Sequence, residues 1–125
     1  MPHGYNKLFG QKGEDEAAQY LQKNGFRVIE KNFRIRNGEI DIIALDESVK
    51  PNELVFVEVK TRFSNSFGDP LEAIHYYKMQ ALKRTALIYQ MKHPKLPQLL
   101  RLDAIAVTLD QDGKLISIRI VKNIS

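Results

Sequence analysis

The hydrophobic pattern near the start of the chain predicts a helix. Within Gly13–Asn24, the apolar or small residues Ala17, Ala18 and Leu21 recur at intervals of three and four, which places them on one helical face. The segment is followed by Gly25, and glycine often ends a helix because it tolerates the left-handed conformation. We therefore expect the first helix to span Gly13–Asn24.

The pattern then becomes extended and predicts three strands. Residues 26–30 and 33–35 have the composition of strands, and Asn37-Gly38 is a dipeptide typical of a tight hairpin turn. A second strand follows at Glu39–Leu45. After a connection that contains a Pro-Asn pair, the most apolar strand of the chain is expected at Leu54–Lys60.

The second half of the chain predicts one helix and two strands. A polar loop at Ser64–Asp69 precedes Pro70, and proline is favoured in the first helical turn, where its missing amide hydrogen costs nothing. We expect a long helix from Pro70 to about Lys92, ended by a His-Pro pair. Strands are predicted at Leu99–Leu109 and Leu115–Val121. The order α-β-β-β-α-β-β indicates an α/β or α+β sheet, with the second helix crossing between strands three and four.

Composition indicates an ordinary globular protein. The chain has 125 residues, of which 43% are hydrophobic and 27% charged, and we expect residues 1–125 to form one domain with its own core. It has no cysteine, which excludes thiol nucleophiles, disulfides and cysteine-ligated zinc. A membrane-spanning stretch and a secretory signal pattern are also lacking. The expectation is a soluble cytoplasmic protein with no membrane partner.

Positive charge is concentrated in the middle third of the chain. Residues 60–101 contain eight lysines and arginines but only two acids. A basic block of this kind can bind polyanions such as nucleic acid, whose phosphates dominate the binding energy. The alternative is a solvated, lysine-rich helix without a ligand.

Charged residues interrupt the two most apolar strands. Because side chains alternate along a strand, the valines of Leu54–Lys60 share one face, and Phe56, Glu58 and Lys60 share the other. The phenylalanine indicates that the second face is covered too, although an exposed face carrying Glu58 and Lys60 is an alternative. Asp41 lies among apolar neighbours in the second strand, and a buried, unpaired carboxylate costs several kcal/mol or becomes protonated.

If these strands are hairpin neighbours, Asp41 and Glu58 can meet. Their repulsion would be relieved in part by Lys60 and more fully by a divalent cation. Oxygen ligands of this kind suit Mg²⁺ or Mn²⁺, which keep several waters and bridge to phosphate.

One residue in each predicted helix strengthens this hypothesis. Glu14 lies on the same helical side as Ala17 and Leu21, although it could instead be a capping acid in the first turn. In the second helix, Lys78 falls within the apolar stripe, where it either reaches an acid or extends past the edge of the core. Together these inward-directed charges fit hydrolysis of a phosphodiester. Asp41 and Glu58 would hold the metal, and Lys60 would position or deprotonate a water and offset transition-state charge.

The spacing of Asp41 and Glu58-Val59-Lys60 resembles the PD-(D/E)xK signature of restriction-endonuclease-like nucleases. Further motifs extend the likeness over nearly the whole chain, and with them the chain resembles the YraN family of uncharacterised bacterial proteins, which is similar to archaeal Holliday-junction resolvases. These motifs are Gly13-Glu14-Asp15-Glu16-Ala17 with Tyr20-Leu21, Asn32-Phe33-Arg34, Gly38-Glu39-Ile40-Asp41, Phe56-Val57-Glu58-Val59-Lys60-Thr61-Arg62, Gly68-Asp69-Pro70 with Glu72-Ala73, Lys78, and Arg101-Leu102-Asp103.

The resemblance implies a fold and roles for individual residues. The fold is a restriction-endonuclease-like three-layer α/β/α core around a mixed five-stranded sheet. Asp41 and Glu58 match the metal-binding acids, Lys60 matches the catalytic lysine, and the Val59 carbonyl matches the main-chain ligand. Glu14 matches an acid that resolvase-like members add from the first helix. The residue before the first acid is isoleucine rather than the proline of the motif's name, a substitution that the superfamily tolerates.

The leading expectation is therefore an endonuclease that uses Mg²⁺ or Mn²⁺ and cuts branched or otherwise structured DNA. Cutting two strands of a junction needs two active sites, which predicts a homodimer. No small-molecule cofactor is expected. The alternative is a non-catalytic nucleic-acid-binding or adaptor protein on the same fold, whereas a small-molecule hydrolase finds little support because no phosphate-binding glycine loop or nucleophile elbow occurs. The candidates for phosphate contact are Arg34, Arg36, Arg62, Lys78, Lys83 and Arg84.

Overall fold

The computed structural model describes residues 3–66 and 68–125, which form two α-helices and five strands. All five strands belong to one sheet with the spatial order β1-β2-β3-β4-β5. β3 and β4 are parallel, and the other neighbouring pairs are antiparallel. The predicted element order is confirmed. The elements are α1 (His3–Lys23), β1 (Phe26–Ile35), β2 (Gly38–Asp46), β3 (Glu53–Phe63), a 3-10 turn (Pro70–Ala73), α2 (Tyr76–Lys92), β4 (Leu100–Leu109) and β5 (Leu115–Val121).

One helix covers each face of the sheet, as expected for three layers. Val55, Val57 and Val59 pack in the cluster that contains the buried face of α1, and Phe56 packs with Leu82 of α2 in the other cluster. The predicted alternation of β3 is therefore confirmed. Because the central strands are buried on both sides, a charged side chain on either face lies in or beside a core. Neither helix combines the length and apolarity needed to cross a bilayer, within the part of the chain that the structure describes.

The central strands separate at one end of the sheet, and this end positions the site. The pairing of β2 with β3 runs from Asp46–Glu53 to Ile42–Val57. Beyond Val57, β3 continues to pair with β4 alone. In the same region Asn32 of β1 has a φ of 57°, a conformation that asparagine tolerates better than most residues. Main-chain groups and side chains at this end of the sheet are thus free of the β2–β3 ladder.

A buried ion cluster holds the same strands together at the opposite end. The Arg101 guanidinium of β4 lies 2.9 Å from Asp46 of β2, 2.8 Å from Glu53 of β3 and 2.9 Å from Asp103 of β4. Burial of Asp46 raises its pKa, but hydrogen bonds from Ser48 and the Arg101 charge outweigh this, so the pKa lies below its usual value. This acid is therefore structural and ionised.

The predicted start of α1 is wrong. The helix begins at His3 and not at Gly13, and it ends at Lys23, one residue before the predicted end. Gly13 is buried inside the helix, where an added Cβ would overlap Thr61 Oγ1 of β3. The glycine therefore marks a close approach of helix to sheet and not a helix boundary.

The predicted start of α2 is also wrong. Pro70–Ala73 forms a single 3-10 turn in which the Asp69 side chain accepts a hydrogen bond from the Leu71 amide. Ile74 leaves the helical conformation, His75 is extended, and the α-helix begins at Tyr76. The turn closes with a hydrogen bond from the Ile74 amide to the Leu71 carbonyl and is separate from α2.

Candidate active site

The register of the sheet brings the two predicted acids together. Ile42 pairs with Val57, so Asp41 and Glu58 stand opposite each other one step further along antiparallel strands, where side chains share a face. Asp41 is 9% exposed and Glu58 is 4% exposed. The alternative of an exposed, charged sheet face is therefore wrong.

Burial and neighbouring charge hold a proton on Asp41. Its pKa is raised from 3.8 to about 7, first because the carboxyl is buried and then because Glu58 is close. A hydrogen bond from the Val59 amide to Asp41 Oδ2, at 2.8 Å, opposes this rise. The charges of Glu14 and Glu39 raise the pKa further. The charged groups that shift the pKa of Asp41 are therefore all negative.

Two lysines compensate Glu58. Lys60 Nζ lies 3.5 Å from Glu58 Oε1, and Lys78 Nζ lies 3.3 Å from the same oxygen. The prediction that Lys78 reaches an acid from the apolar side of the second helix is thus confirmed. By contrast, no lysine or arginine among residues 8–66 and 68–125 forms an ion pair with Asp41. The two acids therefore differ, one paired with cations and the other lacking one.

Glu14 approaches the pair from α1. Because α1 begins at His3, Glu14 lies well inside the helix, and the alternative of a first-turn capping acid is wrong. Burial raises the pKa of Glu14, and a hydrogen bond with Asn32 opposes that rise. Among the described residues, however, no group of three or more His, Cys, Asp or Glu side chains is arranged to hold a metal ion. Glu14 as a metal ligand stays a prediction.

A basic cleft opens beside Glu58. It has a volume of about 360 Å³, lies between the β1–β2 turn and α2, and is lined by Arg34, Arg36 and Lys78 among others. The turn lies tightly against the helix, since a Cβ at Gly38 would overlap Thr85 Oγ1. Lys78 both lines this cleft and contacts Glu58, so it connects the basic surface with the acids.

A second cleft, of about 440 Å³, lies on the α1 side of β1. Glu14, Lys31 and Asn32 contribute to its lining, together with Arg34. Arg34 lines both clefts, and its guanidinium is 3.7 Å from Glu39. The β1–β2 hairpin therefore carries one arginine between the two openings.

The other three basic candidates do not line the basic cleft. Arg62 is half-buried and donates a hydrogen bond to the Gly68 carbonyl. This side chain therefore stabilises the loop after β3. Lys83 and Arg84 lie on α2 but not among the residues that line the cleft. Their contacts with nucleic acid stay predictions.

Sequence reasoning missed two residues of the site. Glu39 contacts Arg34 and raises the pKa of both Asp41 and Glu14. Asn32 forms the hydrogen bond to Glu14. Both are exposed polar residues near a hairpin, where polar residues are expected, so the hydrophobic pattern does not single them out. The available signals were the position of Glu39 two residues before Asp41 and the place of both residues in the motifs that carry the family resemblance.

Comparison with known proteins assigns a family. A family model described as an uncharacterised protein family, UPF0102, matches residues 13–107. A UPF0102 protein of Clostridium botulinum (strain Loch Maree / Type A3) is 41% identical over 124 residues, which cover 97% of this chain and 96% of the relative. A UPF0102 protein of Geobacter metallireducens is 40% identical over 104 residues, or 83% of this chain and 82% of the relative. A UPF0102 protein of Caldanaerobacter subterraneus subsp. tengcongensis is 49% identical over 83 residues, or 66% of this chain and 65% of the relative. The chain therefore belongs to the uncharacterised protein family UPF0102, the YraN family.

Proposed function

We propose that the chain is a metal-dependent endonuclease that hydrolyses phosphodiester bonds of structured DNA. The observation that carries this proposal is the buried meeting of Asp41 and Glu58, with two lysines on Glu58 and no cation paired with Asp41 among the described residues. A stable structural ion pair would neutralise both acids. The imbalance favours a divalent cation as the missing partner.

The residues present fit Mg²⁺ or Mn²⁺. Mg²⁺ commonly uses one or two carboxylates and keeps several waters, so Asp41 and Glu58 suffice without a third acid. Val59 can add its carbonyl. Its amide donates to Asp41, the amide and carbonyl of one strand residue face the same neighbour, and Val59 lies beyond the last β2–β3 pair. Glu14 would add an acid from α1.

The side chains around the acids fit the requirements of phosphodiester hydrolysis. The cation, when bound, supplies Lewis-acid polarisation of the phosphate. Lys60, which contacts Glu58, would position the attacking water and offset charge that develops on the phosphate. Lys78 attracts a phosphate at the entrance from the basic cleft. Arg34 and Arg36 would bind the backbone on either side, which positions the DNA without reading its sequence.

The substrate follows from the same surface. The basic cleft is short and is formed by a hairpin and a helix, and no recognition element for base edges is present in the described fold. DNA structure would therefore define the target. Cutting both strands of a branched DNA requires a second site, so we propose a homodimer for that activity, which light scattering can test.

A second candidate is a nucleic-acid-binding or adaptor protein that does not cut. It is favoured by the lack, among residues 3–66 and 68–125, of a preformed group of three metal-binding side chains. On this hypothesis Lys60 and Lys78 neutralise Glu58 only for stability. Cleavage separates the two candidates, because both of them bind DNA.

The test is a nicking assay with the full chain. Branched, flapped and duplex DNAs are incubated with Mg²⁺, Mn²⁺ or EDTA, using wild type, Asp41→Asn and Lys60→Ala. Control variants are Asp112→Asn and Lys114→Ala, which change exposed residues in the turn before β5. We expect metal-dependent cutting that both site variants lose and both controls keep. Undiminished cutting by the site variants would overturn the nuclease proposal, and DNA binding without cutting by wild type would favour the adaptor.

A further inference from the structure

Two tyrosines stand exposed at the start of α2. Tyr76 is 69% exposed and Tyr77 is 77% exposed, although large aromatic side chains normally bury most of their surface. Their rings meet edge to face, with centroids 5.5 Å apart at 81°. The exposed ring of His75 is 6.4 Å from that of Tyr77. These three consecutive residues form an aromatic surface.

The aromatic surface ends at the residue before Lys78, in the first turn of α2. Tyr77 directly precedes Lys78, whose Nζ is 3.3 Å from Glu58 Oε1 and which lines the basic cleft. Consecutive Cα atoms are about 3.8 Å apart, so the rings are within a few nucleotides of a phosphate bound beside Glu58. The helix break at Ile74 and His75 places them at this end of α2.

We propose that Tyr76 and Tyr77 stack on unpaired nucleobases of the DNA strand whose phosphates occupy the basic cleft. The inference rests on the proposed function and narrows its substrate class to DNA with unpaired bases at the branch, such as a flap or a fork. A positively charged groove beside exposed aromatic rings is the arrangement that binds single strands. Arg34, Arg36 and Lys78 supply the charge that complements the phosphates. In a paired duplex the bases are stacked on each other, so the rings would have no partner.

The test compares two DNAs of the same sequence, a full duplex and a duplex with one single-stranded arm. Binding of the full chain is measured in EDTA, so that no cutting occurs, and a 2-aminopurine in the arm reports stacking by its fluorescence. Variants are Tyr76→Ala, Tyr77→Ala and their Phe counterparts. Met91→Ala is the matched control, because Met91 is 79% exposed near the other end of α2.

We expect each Ala variant to lose about 5- to 150-fold in affinity for the armed DNA, which corresponds to about 1–3 kcal/mol for one stacked base. Duplex affinity should stay unchanged, the Phe variants should keep the wild-type affinity and fluorescence change, and Met91→Ala should resemble wild type. Equal losses on both DNAs, or no loss on either, would overturn the inference.

Failure of this inference is distinguishable from failure of the nuclease proposal. If the protein cuts DNA but the Ala variants keep the wild-type preference for the armed substrate, only the stacking inference is wrong. If no metal supports cutting but the tyrosines still decide binding to the arm, the stacking inference stands and the nuclease proposal is wrong. A wild-type chain that binds neither DNA overturns both.

Discussion

Replacing Asp41 by asparagine should stabilise the metal-free protein while removing its metal site. In the folded state the pKa of Asp41 is about 7, against 3.8 for the ordinary group, because of burial and the charge of Glu58. The folded state therefore holds a proton that the unfolded chain has released, and the free energy of unfolding falls as the pH rises from about 4 to about 7. Asparagine carries no titrating proton, and its side-chain oxygen can still accept the Val59 hydrogen bond.

The magnitude follows from that difference in pKa. At about 1.4 kcal/mol per pKa unit, the raised pKa of Asp41 corresponds to a loss of folding stability of at most roughly 4 kcal/mol at pH 8. Relaxation of the protein around the charge makes the actual loss smaller. We expect a gain of about 1–4 kcal/mol for Asp41→Asn at pH 8 in EDTA, shrinking towards zero near pH 4. Urea denaturation at several pH values measures it, with the slope on denaturant concentration checked for constancy.

Asp46→Asn is the matched control, because Asp46 ends the same strand but has a lowered pKa. Ser48 and Arg101 stabilise its ionised form. The ionised form therefore contributes fully to folding stability above the pKa that Asp46 has in the unfolded chain, and this contribution is lost as the pH falls through the lower pKa of the folded protein. This variant should lose about 1–3 kcal/mol at pH 8. If Asp41→Asn destabilised the protein as Asp46→Asn does, Asp41 would be a structural acid and the reasoning would fail.

Four substitutions test other parts of the structure. Arg101→Met should cost about 3–5 kcal/mol in urea denaturation because it leaves buried carboxylates without a cation; an unchanged midpoint would contradict this role. Val57→Asp should prevent folding because it puts a charge on the core face of β3, and a wild-type melting temperature by circular dichroism would mean that face is not core. Gly13→Ala should lose about 1–3 kcal/mol because its Cβ overlaps Thr61. At Gly10 of the same helix no atom lies within 4 Å of an added Cβ, so Gly10→Ala should gain up to about 1 kcal/mol; equal thermal shifts for the two alanines would contradict the close approach.

The strands and the acid pair could be predicted because burial leaves a clear mark on sequence. The alternating valines of β3 all face one core. Glu58 therefore lies on the other face of the strand, together with Phe56. An acid among the isoleucines of β2 indicated a polar site, and the antiparallel register brings Glu58 opposite Asp41. In both strands the local alternation of apolar residues and the high cost of burying a charged group predict the same position for the acid.

The remaining features depend on contacts that no local pattern records. Gly13 suggested a helix start, but the structure uses it for contact with β3. Pro70 suggested the start of a long helix, but the structure ends that turn at Ile74 and begins α2 only at Tyr76. The predicted second strand ends at Leu45 and leaves Asp46 in the following connection, whereas the structure includes Asp46 as the buried last residue of β2, paired with the distant Arg101. Polar residues whose partners are far away in sequence are thus the ones that patterning misses.

Titration of the metal-free protein with Mn²⁺ tests most directly whether the two acids hold a cation. Calorimetry and paramagnetic resonance are applied to wild type, Asp41→Asn, Glu58→Gln and the exposed control Asp112→Asn. We expect wild type and the control to bind one Mn²⁺ per chain with equal affinity. Both site variants should bind it at least tenfold more weakly. Mn²⁺ binding that is unchanged in Asp41→Asn and Glu58→Gln, or no binding by wild type, would contradict a cation site formed by these acids.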